Sequence, residues 1–429
     1  MKEDKCFENK CKYISVSIFF FVIFIFFISS FFMKNGGYSE EEKRDLKQFP
    51  QISKMSAKDF FDAKYFIEID SFYKDNFPYR DIFLDFNTNI ELARGIRVND
   101  VKITQPAVAK KSEIETDIEV EKEAVGDTDE NKEASVNVEQ VGGLLSIGDS
   151  VVEMFGGVES VAKEYANTIS EYADILSDKK VYNIVIPTHV EFILPEKYKD
   201  LSKPQDENID YIKSNLSNKV VAVDAYSKLK EHKDEYIYFR SDHHWTGLGA
   251  YYAYTAFAEK SGFEPIDLKD YKSNKKEGFL GTLYNASKES ILKENPDYVE
   301  YYNVGADLKT TMYKNSSLNN PIDTTLYADY ASGGNSYGVF LHGDNALMKI
   351  ENKDSDNNKS AIVIKESYGN AFAPYLTVHY KETYILDPRY FKGNLVYFIN
   401  ENNIDEVIFI NNILAANTQM HVNNLKKLK

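Results

Sequence analysis

The pattern of apolar and polar positions divides the chain into four stretches. Residues 13–33 form an uncharged run of 21, dominated by Phe, Ile and Val. That is long enough to cross a bilayer as one helix. Residues 40–105 carry apolar positions at helical spacing, among them Phe60, Phe61, Tyr65, Phe66, Ile69, Phe72 and Tyr73. They predict a helical segment with one face packed on the main domain. Residues 106–140 lose the periodicity and contain no aromatic residue, which predicts a disordered acidic insertion. From 141 to 429 short apolar runs alternate with amphipathic stretches. Strands are predicted at 144–147, 181–186, 220–223, 236–239, 361–364, 383–386 and 407–410. Helices are predicted at 158–178, 249–260 and 371–379. This alternation indicates an α/β domain with a mostly parallel sheet, whose sites form at the carboxyl ends of its strands. Residues 270–336 are polar, rich in Tyr and Asn and weakly periodic, and predict an irregular subdomain beside the site.

The apolar run lacks a cleavage signal, because Ser29-Ser30 leads straight into Phe31-Phe32-Met33-Lys34. It therefore reads as an uncleaved transmembrane helix rather than a signal peptide. Lys2, Lys5, Lys10 and Lys12 precede it, and Lys34, Lys43, Arg44 and Lys47 follow it, so the positive-inside count is a tie. Residues 1–12 are placed in the cytoplasm, because a long domain behind a single N-terminal anchor is normally exported. The expected location is the cell membrane, single-pass, with the bulk of the chain extracytoplasmic. Both cysteines, Cys6 and Cys11, precede the span, so disulfides do not stabilise the domain. A net charge of -16 excludes nucleic acid as a partner. Residues 112–139 hold 11 acidic and 2 basic residues, which leaves -7 for the remainder.

Chemistry concentrates at Asp242-His243-His244-Trp245. Two of the seven histidines and the single tryptophan stand there beside a carboxylate. An acid and an imidazole on one short loop suit the orienter and general base of a hydrolase or acyltransferase. Ser367, between a predicted strand and a predicted helix, is the candidate nucleophile. The first N–H groups of that helix are candidates for oxyanion stabilisation. The plainer reading makes Ser367 an N-cap. Gly148-Asp149-Ser150 resembles the opening motif of the SGNH hydrolases, and an ordinary turn is the competing reading. Asp242, His243 and His244 could also hold a cation. Neighbours on one loop rarely point at the same ion, however, and His189, His232, His342, His379 and His421 are scattered. No metal and no cofactor are expected.

Ser241-Asp242-His243-His244-Trp245-Thr246 with Gly249-Ala250, the block Val363 to Tyr368, and Asp387-Pro388-Arg389-Tyr390, behind an N-terminal anchor, together resemble the DHHW family of Gram-positive envelope proteins. That family is similar to the AlgX/AlgJ-type alginate O-acetylation proteins. The resemblance covers roughly residues 40–100 and 141–415 and is weakest over 270–336. It implies an SGNH-hydrolase-like three-layer fold with permuted motif order, the Asp-x-His-Trp motif preceding the serine. It implies Asp242 as triad acid, His244 as base and Ser367 as nucleophile. Gly343, Asn345, Tyr368, Trp245 and Arg389 are the oxyanion or substrate-binding candidates. The chain departs from the family pattern in two places. Glu366 replaces the usual Asp before the serine, and His342-Gly343-Asp344 replaces a Gly-Gly-Asn type turn. A carboxylate at the third position of that turn would oppose a developing oxyanion. The resemblance also implies a polysaccharide substrate and a multi-spanning membrane O-acyltransferase as partner. Three outcomes stay open: a transferase, an O-acetylesterase of the same fold, and an inactive polysaccharide-binding scaffold.

Overall fold

The computed structural model describes residues 143–303 and 305–429, with shorter stretches at 16–26, 28, 37–39, 44–51, 64–77 and 102–104. The acidic insertion at 106–140 lies outside the described residues. The chain divides into two compact units, one of Met1–Ile96 with Lys110–Glu139 and one of Arg97–Ala109 with Gln140–Lys429. In the first, Gly37–Ser39 pairs antiparallel with Arg44–Leu46. A helix at Lys64–Asn76 buries Phe72, which meets Phe49 edge-on at 5.2 Å. Residues 16–26 and 28, inside the expected span, are helical. Among the described residues no helix is long and apolar enough to cross a membrane.

The second unit is built on an eight-stranded mixed sheet. In chain order its strands are β1 (Lys180–Ile186), β2 (Val220–Val223), β3 (Leu308–Tyr313), β4 (Ile322–Thr324), β5 (Leu347–Asn352), β6 (Ser360–Lys365), β7 (Glu382–Leu386) and β8 (Glu406–Asn412). The spatial order is β4-β3-β5-β7-β6-β8-β1-β2. From β7 to β2 all pairings are parallel, and β5, β3 and β4 extend the sheet antiparallel. The sheet is therefore less parallel than the apolar pattern predicts. Its antiparallel edge comes largely from the weakly periodic stretch. That stretch also supplies a hairpin of Lys272–Phe279 with Asp297–Asn303.

β6 shows why the middle is legible. All six of its residues are buried, because parallel neighbours flank it and helices cover both faces. Alternate residues then face opposite layers. On one side Tyr182, Ile184, Val363, Ile408 and Ile410 pack with Leu229 of α3 (Ala225–Glu231), Tyr254 and Phe257 of α4 (Gly247–Ser261) and Phe372 of α5 (Gly369–Leu376). On the other, Val181, Ile362, Ile364, Val407 and Phe409 pack with Ile169 and Tyr172 of α1 (Glu159–Ile175), Ile212 of α2 (Gln205–Asn215), Ile399 of α6 (Leu395–Glu401) and Val422 of α7 (Gln419–Lys426). The architecture is three-layered. α4 begins directly after Trp245, where the Thr246 hydroxyl caps the Gly249 N–H at 3.2 Å, and it ends at Gly262 with φ +86°.

Candidate active site

The loop carrying Asp242 does not follow a strand. Residues 236–239 form one side of a short hairpin whose only ladder position is Tyr238 opposite Trp245. The Phe239 N–H donates to the His244 carbonyl (3.2 Å) and the Thr246 N–H to the Ile237 carbonyl (3.0 Å). The tip is held by Asp297, a side chain with no exposure. Its carboxylate accepts from the Arg240 N–H (3.1 Å), Arg240 Nε (2.9 Å), the Ser241 N–H (2.8 Å), Ser241 Oγ (2.5 Å) and the Tyr236 hydroxyl (2.7 Å). Asp297 lies in the stretch the periodicity left irregular. Nothing in its sequence surroundings marks it.

Ser367 stands two residues beyond the carboxyl end of β6. Its hydroxyl meets His244 Nε2 at 2.7 Å, and His244 Nδ1 meets Asp242 Oδ1 at 2.6 Å. Its Oγ caps no helical N–H. The other Asp242 oxygen accepts from the Thr282 N–H (2.8 Å) and Thr282 Oγ1 (3.1 Å). Gly281 makes that approach possible, since a Cβ there would lie 2.2 Å from Asp242 Oδ2. Burial opposes the charge on Asp242, but the His244 and His243 rings and the Thr282 N–H hold its carboxyl well below the usual carboxylate range. Ser150 lies on a short strand, Ser150–Glu153, with its hydroxyl on Asp149 at 3.4 Å. Asp242, His243 and His244 do place three potential ligand atoms within 4.8 Å of one another. Both nitrogens of His244 are already engaged, however, so the set is wired as a proton relay rather than as an open metal site.

Three aromatic side chains tie the two loops together. The Tyr337 ring lies flat on the His244 imidazole, with centroids 3.9 Å apart and planes at 10°, while its hydroxyl donates to the Ser367 carbonyl at 3.0 Å. Trp245 Nε1 donates to the Tyr368 carbonyl (2.9 Å), and the Tyr368 hydroxyl donates to the His243 carbonyl (2.5 Å). Trp245 and Tyr368 are fully buried. Both were substrate-binding candidates; the structure instead spends them as internal braces. Tyr337, which no motif marks, sits in a short 3-10 helix at Gly333–Val339 with no apolar periodicity to announce it.

A family model of the DHHW proteins matches residues 42–122 and 103–386. The chain belongs to the DHHW protein family. A DHHW family protein from Eubacterium siraeum, known from its crystal structure, is 31% identical, with a TM-score of 0.61 over 66% of this chain and 94% of its own. PatB1 of Bacillus cereus, solved with a sulfonyl adduct, is 20% identical, with a TM-score of 0.55 over 65% of this chain and 96% of its own; this likeness is one of fold. The O-acetyltransferase domain of Pseudomonas putida AlgJ matches at 14% identity and a TM-score of 0.36, over 66% of this chain and 97% of its own. No curated relative matches the chain.

The departures from the DHHW pattern are resolved by a charge cluster behind the serine. Asp344 Oδ1 accepts from Lys365 Nζ and from Asn370 Nδ2, both at 2.9 Å, and its Oδ2 pairs with Arg389 at 2.7 Å. Asp387, wholly buried, pairs with Lys365 (3.1 Å) and with Arg389 through Nε (2.9 Å) and Nη2 (2.6 Å). Two cations balance two carboxylates. Burial opposes the Asp344 charge, and Lys365 and Arg389 nevertheless hold it well below the usual range. Its carboxylate is thus neutralised inside the protein. Gly343 and Asn345 are not open oxyanion donors. The Gly343 N–H closes a turn onto the Phe340 carbonyl (3.0 Å), and Asn345 Nδ2 is spent on the Leu341 (2.9 Å) and Gly343 (3.3 Å) carbonyls. That turn is strained, with Leu341 at φ +56° and His342 at φ +58°. Arg389 likewise uses its fork on Asp387 and Asp344. Glu366, pushed up by burial, accepts from the Asn412 N–H (2.9 Å) and the Tyr368 N–H (3.2 Å), and its carboxyl lies 3.2 Å from Ser367 Oγ. The Ser367 N–H has no partner among the described residues.

Proposed function

We propose that this DHHW protein is a membrane-anchored, extracytoplasmic serine O-acyltransferase of a polysaccharide. The observation that carries the reading is the relay Asp242–His244–Ser367, closed at 2.6 and 2.7 Å. An ionised Asp242 fixes the proton on His244 Nδ1 and leaves Nε2 bare to receive the Ser367 proton. Ser367 Oγ then attacks the acyl carbon of an ester donor. The Ser367 N–H, without a partner among the described residues, is the backbone donor assigned to the oxyanion. His244 returns the proton to the departing alkoxide, and an acyl-serine remains. A sugar hydroxyl next attacks that acyl carbon, giving its proton to His244, which passes it back to Ser367 Oγ as the ester bond breaks. Tyr337 lies over the ring that becomes cationic in both steps, where an aromatic face favours the charge.

The anchor rests on the uncharged run at 13–33. The polysaccharide and a multi-spanning membrane O-acyltransferase that delivers the acyl group across the bilayer follow from membership of the DHHW family and its likeness to O-acetylation proteins. A sulfonyl reagent, the class seen on PatB1, is the probe of choice. It should label the parent, and p-nitrophenyl acetate should be turned over. Ser367→Ala and His244→Ala should each lose about a thousandfold or more of both activities, and Ser150→Ala little. A parent that neither labels nor turns over, and that mutation does not change, is the inactive scaffold. Release of the acyl group to water alone, with sugar present, marks an esterase.

A further inference from the structure

His243 occupies the variable position of the motif, and the relay does not use it. Its ring packs against that of His244, with centroids 3.8 Å apart. Its Nδ1 lies 2.7 Å from Thr282 Oγ1. The protons in that contact can be assigned. Asp242 is ionised and only accepts, so the Thr282 hydroxyl spends its single proton on Asp242 Oδ2, 3.1 Å away. The Thr282 oxygen must then accept from His243, which places the His243 proton on Nδ1. The neutral ring consequently carries a bare lone pair on Nε2. That atom has no partner among the described residues and is not buried, the side chain keeping 19% exposure. Burial and the adjoining His244 both push the imidazole below its ordinary value, so Nε2 stays an acceptor. The result is an unprotonated nitrogen on a partly exposed ring that packs against the base that must deprotonate the incoming acceptor.

Resting on the acyl-serine reading above, we propose that His243 Nε2 is an acceptor-binding atom that selects vicinal diols, the chemistry of a sugar ring. One hydroxyl attacks the acyl carbon and surrenders its proton to His244 Nε2. Its neighbour donates a hydrogen bond to His243 Nε2 and transfers nothing. A simple alcohol has no second hydroxyl to give and is held less well. The amides of Asn and Gln separate the two nitrogens of the ring: Asn reproduces the Nδ1 contact to Thr282 and places nothing at Nε2, whereas Gln carries an acceptor oxygen to the Nε2 position.

The test uses the full chain with p-nitrophenyl acetate as donor, and compares methyl glucoside with ethanol as acceptors. The p-nitrophenol burst reads acylation, and the acylated products read partition. The parent should prefer the glycoside. Whatever the size of the burst, His243→Asn should lose about tenfold of that preference, and His243→Gln should restore most of it. A structural role would instead depress burst and partition together and leave the acceptor ratio unmoved. Retention of the preference in His243→Asn overturns the proposal. A parent without a burst overturns the acyl-serine reading and this one with it, whereas a normal burst with an unchanged ratio overturns this one alone.

Discussion

At the scale of single residues the site is a close network of hydrogen bonds that leaves the Ser367 N–H without a partner among the described residues. Tyr337 is the informative case, because one side chain touches both the base and the nucleophile. Tyr337→Phe keeps the stack and loses the bond to the Ser367 carbonyl, which also accepts from the Asn370 N–H at 3.2 Å. Its kcat should fall by about threefold to tenfold at unchanged KM. Tyr337→Leu removes ring and hydroxyl together and should cost about a hundredfold in kcat. Steady-state kinetics beside a melting curve separate the two contributions. A folded Leu variant with parental kcat would show that the ring only fills space.

At the scale of elements, the hairpin and the helix that starts at Thr282 are positioned by two residues outside every recognisable motif. Gly281 has no room for a side chain against Asp242. Gly281→Ala must push Asp242 off the Thr282 N–H, so turnover should drop by about tenfold or more while the sheet stays intact, as circular dichroism would report. Asp297 is the buried acceptor for the hairpin tip. Asp297→Ala strands the Arg240 and Ser241 donors and should cost about 3 kcal/mol or more of stability, measured by denaturant unfolding. A loss under about 1 kcal/mol would mean that water replaces the carboxylate. The same geometry explains why a strand was expected at 236–239. The run is apolar because Ile237, Tyr238 and Phe239 are buried, yet it pairs only with its own hairpin and never joins the sheet.

At the scale of the whole molecule, three histidines, His421 buried and His189 and His379 partly buried, set a pH limit. Burial pushes His189, His379 and His421 down to about 4, and His189 Nδ1 and His421 Nε2 have no partner among the described residues. Unfolded, each ring takes a proton near the ordinary value of about 6.5. The folded state holds each neutral, so stability is complete above about 6.5 and declines as pH falls toward 4, by roughly 1–3 kcal/mol per ring. Thermal melts across that window should show the decline, and His421→Leu should flatten it. An unchanged slope in that variant would mean that carboxylates dominate the acid transition.

The sequence by itself determined the parallel centre of the sheet, the helices that cover it and the nomination of Asp242, His244 and Ser367. Apolar runs and helical spacing are local records of burial on two faces, and an acid–imidazole pair on one loop is a local record of chemistry. Family membership was legible in the DHHW and Glu366-Ser367-Tyr368 blocks for the same reason. The antiparallel edge strands were not legible, since Thr310, Thr311, Asp323 and Lys349 alternate too weakly to write a period. Only the tertiary structure decided what surrounds the relay. Tyr337, Asp297, Gly281 and the Lys365–Asp344–Arg389–Asp387 cluster act through partners far away in the chain. It also withdrew Gly343, Asn345, Trp245 and Tyr368 from the open site. A residue's type states which bonds it can make, and the fold alone decides whether a neighbour has already taken them.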